Sequence, residues 1–229
     1  MLTAFLYYQP IELYLQLMSQ RIFITGIGTG VGKTLTAACI TEALQADYWK
    51  PVQTGLMEGT DTDTVKSLLS NPVSVCHREA YLLEEPASPH LAARMEEVTI
   101  NVKRIIEVAA TLQPANRPLV IEGAGGLMVP LNDNTFTIDF IQQLEAQVII
   151  VAQNYLGSIN HALLTARALK QSGIPVMGWI FSGAFHSNEE EVVAWSGYPQ
   201  LGRIPQTTLI DKAFVKEQAE KLSLRTTTY

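Results

Sequence analysis

Cysteine is scarce in this chain of 229 residues: there are two, Cys39 and Cys76, and they form no Cys-x-x-Cys pair. That excludes a disulfide framework, gives no zinc-site spacing and reads as a reduced, cytoplasmic protein. Charge is low as well. Charged residues make up 17% against 47% hydrophobic, and the formal net charge of -6 leaves no basic surplus. A nucleic-acid partner needs a basic face, so none is expected. The apolar content supports a buried core and leaves no room for a sizeable disordered tail. Repeats, linkers and low-complexity segments are missing too. The opening stretch 1–20 is apolar, but it holds Pro10 and Glu12 and has no Lys or Arg. It therefore lacks the positive start of a signal peptide and the uninterrupted run of a membrane span, so no membrane partner is expected. Met18 reads as the true start. Residues 1–20 are then an extension of doubtful status, and 21–229 form one domain.

From Arg21 onward, short β-rich runs alternate with helical stretches. Strands are expected at Arg21–Thr25, Tyr48–Val52, Pro118–Glu122, Val148–Gln153, Pro175–Phe181 and Gln200–Ile204. Helices are expected up to about Gln45, from about Asp61 to Leu69, over Val98–Leu112 and over Ser158–Gln171, the last ended by Gly173. Strands apolar on both faces and separated by helices predict an α/β fold with a mostly parallel sheet covered on both sides. Ligands of such sheets bind beyond the carboxyl ends of the strands. Four clusters of unusual residues fall there: Gly26–Thr34, Lys50–Gly55, Glu122–Gly126 and Asn154–Asn160.

The first cluster is a phosphate loop. Gly26-Ile27-Gly28-Thr29-Gly30-Val31-Gly32-Lys33-Thr34 stands between an apolar strand and a helix, the context that motif requires. Its glycines let backbone N–H groups turn towards phosphate oxygens, and the helix N-terminus adds partial positive charge. Lys33 can reach the β- and γ-phosphates, and the Thr34 hydroxyl can ligate Mg²⁺. Gly26 and Gly32 are separated by five residues, one more than the usual pattern.

In the second cluster, Lys50 can balance charge that builds during phosphoryl transfer, and Thr54 offers a hydroxyl on the same loop. A solvated surface lysine is the plain alternative. Phosphoryl transfer from ATP uses Mg²⁺ on oxygen ligands. Beyond Thr34 the candidates are Asp61, Asp63 and Glu122. Glu122 opens the nearly bare backbone of Glu122-Gly123-Ala124-Gly125-Gly126, while either aspartate can equally cap a helix. In the fourth cluster, backbone N–H groups with Ser158 and Asn160 can take a substrate carboxylate, or Ser158 can simply cap the helix. His90 and His161 show no metal-like spacing and read as structural.

Taken in order, these segments resemble the dethiobiotin synthetase family. The lengthened phosphate loop and Lys50-Pro51-Val52-Gln53-Thr54-Gly55 are similar to that family's phosphate loop and catalytic-lysine segment. Glu85–His90, Glu122–Gly126, Leu156–Thr165, Gly178-Trp179 and Gly202-Arg203-Ile204-Pro205 complete a match running from about Arg21 to Thr208. The phosphate loop alone is general to many ATPases; the ordered set is specific.

The resemblance implies a P-loop NTPase-type fold and a cyclo-ligase of biotin biosynthesis. Its substrates would be 7,8-diaminononanoate, CO₂ and Mg-ATP, and its products dethiobiotin, ADP and phosphate. It further implies a homodimer in which the helix start near Asn160 reaches the neighbour's substrate. On that reading Lys33 and Lys50 are catalytic, and Thr34, Asp61 and Glu122 hold Mg²⁺. Asp61 is preferred to Asp63 because Val65 then follows one helical turn on, as in the family's helix. Gly28, Thr29, Gly30, Val31, Gly32, Lys33, Thr34, Glu122, Ser182 and Pro205 contact the nucleotide. Thr54, Gly125, Gly126, Ser158 and Asn160 face the diamine substrate.

Two features depart from the family pattern. Gly28 and Gly30 stand where an acidic residue is common. Ser182 stands where the family commonly has an Asn that reads adenine, and one hydroxyl replaces a matched donor and acceptor. Weak base selectivity is the expected consequence. A ParA-like partition ATPase is the competing class, but it usually carries an early loop lysine where this chain has Ile27 and Gly28, and a basic surface that a charge of -6 disfavours. A cobyric or cobyrinic acid synthase domain would need an additional glutaminase domain for which 229 residues leave no space.

Overall fold

The computed structural model describes residues 21–112, 116–184 and 188–224. The expected extension 1–20 and the start at Met18 lie outside the described residues. The chain runs β1 (Arg21–Gly26), α1 (Lys33–Leu44), β2 (Asp47–Trp49), β3 (Val52–Thr54), α2 (Asp61–Leu68), β4 (Cys76–His77) and β5 (Tyr81–Leu83). It continues through α3 (Pro89–Met95), α4 (Val102–Leu112), β6 (Leu119–Glu122), α5 (Thr137–Gln143), β7 (Gln147–Gln153) and α6 (Ser158–Gln171). The last elements are β8 (Val176–Gly183), α7 (Glu189–Ser196), β9 (Gln200–Pro205) and α8 (Lys212–Lys221).

Seven strands form one sheet in the order β4-β2-β6-β1-β7-β8-β9, and β3 and β5 form a separate pair. Every pairing between these strands is parallel. Parallel strands need crossover connections that place helices on the faces, so their side chains are buried on both sides. Side-chain alternation divides the core accordingly. Phe23, Trp49, Ile121, Ile150 and Trp179 pack on one face with residues of α4, α5 and α6. Ile22, Ile24, Tyr48, Val120, Ile149 and Ile180 pack on the other with α1, α2 and α8. The expected α/β architecture with helices on both faces is what the structure shows.

Several boundaries differ from the sequence expectation for local reasons. The strand expected at Tyr48–Val52 is interrupted: β2 stops at Trp49, and β3 begins at Val52 in the second sheet. Pro51 has no N–H for a ladder, so the chain leaves the main sheet there and Lys50 sits at the junction. α4 begins at Val102 rather than Val98, because the Asn101 side chain accepts from the Arg104 N–H at 3.1 Å and caps the helix. The Glu85–His90 loop passes directly into α3, with Pro89 in its first turn. At α6 the capping residue is Gly157, with φ 98°, so Ser158 lies inside the first turn and does not cap it. Among the described residues no helix is long and apolar enough to cross a membrane.

Candidate active site

Strand register brings the distant motifs together. Ile24 pairs with Glu122, which sets Glu122 beside the strand that feeds the phosphate loop. Trp49 pairs with Ile121, so Lys50 emerges next to Glu122. The direction of strand succession reverses around β1, the position where open parallel sheets place their ligands.

The loop itself is built by close approach. Gly32 precedes α1 with φ 89°, a conformation that favours glycine, and a Cβ there would lie 3.1 Å from Ser182 Oγ. A Cβ on Gly126 would lie 3.1 Å from the Gly26 carbonyl oxygen, so the Glu122–Gly126 turn rests against the phosphate loop. Lys33 Nζ donates to the Gly28 carbonyl at 2.9 Å. Burial pushes the Lys33 ammonium down to about 8, against the opposing pull of Glu122.

One cluster collects the remaining expected groups. Thr34 Oγ1 lies 2.9 Å from Glu122 Oε1 and 3.0 Å from Asp61 Oδ1, and its single proton can serve either. Lys50 Nζ donates to Asp61 Oδ2 and, at 3.1 Å, to Glu122 Oε1. Burial works against the Lys50 charge, but the summed pull of Glu122 and Asp61 outweighs it and holds the ammonium above its usual value. Asp63 stands apart: its backbone N–H and carboxylate both bond the Thr60 hydroxyl in a cap at the start of α2. Among the described residues no three His, Cys, Asp or Glu side chains are grouped to hold a metal. An ion beside Asp61 and Glu122 would therefore draw on the Thr34 hydroxyl and phosphate oxygens. Those are hard oxygen donors, a set that fits Mg²⁺.

The other expected residues lie on neighbouring elements. Thr54 ends β3, and the following Gly55 packs against Pro86. Gly125 adopts φ 65°, with space for a Cβ taken by Val129. Ser158 is buried and Asn160 exposed at the start of α6. A pocket of about 510 Å³ brings Gly28, Thr29 and Val31 together with Asn154, His161 and Gln206. Pro205 ends β9 opposite Gly183. Ser182 was expected at the adenine edge. Its hydroxyl instead donates to the Val31 carbonyl at 2.7 Å beneath the loop, which leaves only its lone pairs for a base.

Three contributors were not anticipated. Tyr48, wholly buried, donates to Glu122 Oε2 at 2.8 Å. Burial and then the Glu122 charge push its phenol well above the usual value, so it stays a donor. Gln53 Oε1 accepts the Asp61 N–H at 3.1 Å and so docks the start of α2 onto the lysine loop. Glu189 takes Arg203 Nε at 3.0 Å and Asn154 Nδ2 at 3.2 Å, tying the ends of β7 and β9 to α7. A buried Tyr or Gln reads as core in a sequence, and no local signal marks its partner.

Comparison with known proteins follows the same lines. A family model described as an AAA domain matches residues 20–213. The ATP-dependent dethiobiotin synthetase of Christiangramia forsetii is 46% identical over 209 residues, which covers 91% of this chain and 98% of that protein. The ATP-dependent dethiobiotin synthetase of Cytophaga hutchinsonii is 46% identical over 205 residues, covering 89% and 97%. Among solved structures, a ParA family ATPase from Chlorobium tepidum superposes with a TM-score of 0.54 at 16% identity, over 90% of this chain and 96% of that one. At that identity the likeness concerns the fold alone, a P-loop ATPase sheet. With close sequence relatives along nearly its whole length, the chain belongs to the dethiobiotin synthetase family.

Proposed function

We propose that this protein closes the cyclic urea of dethiobiotin from 7,8-diaminononanoate, CO₂ and ATP. The observation that carries the reading is the convergence of Lys50, Thr34, Asp61 and Glu122 beside the phosphate loop, at contacts of 2.9–3.1 Å around Glu122. The names of the relatives support the same activity.

The chemistry needs no protein nucleophile. One substrate amine adds to CO₂, forming a C–N bond and releasing a proton, to give a carbamate. A carbamate oxygen attacks the γ-phosphorus, and the bond to ADP breaks. The second amine then attacks the carbonyl carbon of the mixed anhydride, phosphate leaves, and the amine loses its proton as the ring closes. What this chain supplies is position and fixed charge. Lys33 and the loop N–H groups hold the phosphates. Lys50 stabilises negative charge on the carbamate and the phosphoryl group as it moves. Thr34, Asp61 and Glu122 would hold Mg²⁺, which when bound neutralises the terminal phosphates. Thr54 and the backbone at Gly125 and Gly126 face the diamine. The Ser158–Asn160 helix start takes its carboxylate, in our reading across a homodimer. The free thiols Cys39 and Cys76 suit a reducing cytoplasm. With the Ser182 hydroxyl engaged by Val31, base selectivity is weak.

Incubation with diaminononanoate, ¹³C-bicarbonate and Mg-ATP tests the reading. Dethiobiotin carrying the heavy carbon, formed with ADP one for one, is expected. ATP hydrolysis independent of the diamine, with no labelled product, overturns it.

A further inference from the structure

We propose that Tyr48 is a positioning residue for Glu122, fixing the orientation in which that carboxylate serves the site. The inference rests on the reading of Glu122 as a metal-side ligand and deepens it. Side chains alternate along a strand, so Tyr48 projects to the α1 face of the sheet, opposite to Trp49. Tyr48 pairs with Val120, and Glu122 lies two residues further along that strand, again on that face. The phenol therefore reaches along the sheet to the carboxylate from below.

The result is a carboxylate divided between two environments. Glu122 Oε1 faces Thr34 Oγ1 at 2.9 Å and Lys50 Nζ at 3.1 Å. Glu122 Oε2 faces away and accepts from Tyr48 at 2.8 Å, its sole hydrogen-bond partner among the described residues. Glu122 is 1% exposed and Tyr48 fully buried, so water cannot take the place of the phenol. A ring that only filled the core would serve equally well as Phe. Tyr48 differs in giving its buried hydroxyl to a site carboxylate. Remove the hydroxyl and Oε2 becomes a buried acceptor without a partner; the carboxylate is then free to turn, and the oxygen offered to a cation is no longer fixed.

Direct Mn²⁺ binding to the full chain in the presence of ADP, followed by the EPR signal of free Mn²⁺, tests this without relying on turnover. Tyr48→Phe is expected to weaken Mn²⁺ affinity about 10- to 100-fold, the usual effect of losing an outer partner of a ligand. Metal-free ADP affinity should stay close to that of the unaltered protein, while the melting temperature falls modestly because the buried carboxylate loses a donor. A lowered melting temperature with unchanged Mn²⁺ affinity overturns the proposal, because that is what a purely structural tyrosine gives. Tyr48→Met, which also lacks the donor, carries the same test if Tyr48→Phe does not fold. Glu122→Gln, measured alongside, separates the two claims. If it leaves Mn²⁺ affinity unchanged, the metal reading itself fails; if it weakens binding while Tyr48→Phe does not, the positioning role alone fails.

Discussion

Replacing Lys50 by Met removes a charge while keeping the bulk of the stem, so it isolates what the ammonium does. That ammonium lies against Asp61 and 3.1 Å from Glu122 Oε1, and the Lys50 and Glu122 side chains are only 7% and 1% exposed. Water cannot replace what Glu122 loses, whereas Asp61, at 28% exposed, rehydrates in part. Taking one partner from a buried pair costs about 3–5 kcal/mol, because the other charge is left uncompensated. The partial exposure of Asp61 places the expected loss near the low end, about 3 kcal/mol. Urea unfolding should show it as an earlier midpoint at an unchanged slope. Turnover is affected separately. Loss of one preorganised charge stabiliser lowers kcat by about 10²–10³-fold. Affinity for ATP should change far less, because Lys33 and the loop backbone are untouched. A Lys50→Met protein with unaltered unfolding midpoint and kcat within about tenfold of the parent would refute the assignment of Lys50 as the charge-balancing group.

Gly32→Ala should destabilise the metal-free protein by about 1–2 kcal/mol through the left-handed backbone alone, with more lost where the new Cβ meets Ser182 Oγ; thermal melting checks this. Turnover with ATP, GTP and CTP should differ little, since Ser182 already donates to Val31; a strong preference for ATP contradicts that. Gln53→Ala should raise the Mg²⁺ requirement by loosening Asp61 while leaving metal-free nucleotide affinity intact, as a Mg²⁺ titration of the rate would show. The thiols give a pH test. Burial pushes Cys39 up to about 12 and Cys76 up to about 11, from 9.0. Folded thiols thus keep protons that unfolded thiols release, so their contribution to stability is full below pH 9 and declines as pH rises through those values. Iodoacetamide labelling followed by mass spectrometry should be slow at pH 8 in the native protein and fast in urea, with native Cys76 gaining rate towards pH 11.

How far the sequence disclosed this molecule depends on where each signal resides. The strands β1, β6, β7 and β8 are apolar on both faces, so they stand out as continuous runs, and their buried parallel sheet follows. The Tyr48–Val52 run misleads because its hydrophobicity continues past Pro51 although its hydrogen bonds do not. β4 and β5, with two and three residues, are too short for alternation to register, and the seven-residue α3 and α5 carry too few turns for a clear helical period. At the site, Lys33 and Thr34 were legible from the glycine-rich loop that opens α1, and Lys50 and Glu122 as charged residues at the carboxyl ends of apolar strands. Tyr48 was not, since its partner is 74 residues away and only register places them together. The Ser182 bond to Val31 is a tertiary contact that no local pattern announces.

On the proposed function, Lys50, Asp61, Glu122 and the phosphate loop act on one terminal phosphate. A crystal structure with Mg²⁺ and a non-hydrolysable ATP analogue tests it most directly. The expected result is an ion about 2.0–2.1 Å from Thr34 Oγ1, with Asp61 and Glu122 among its ligands, and the γ-phosphate within reach of both Lys33 and Lys50. A γ-phosphate beyond the reach of Lys50, or an ion held without Thr34, Asp61 and Glu122, would contradict it.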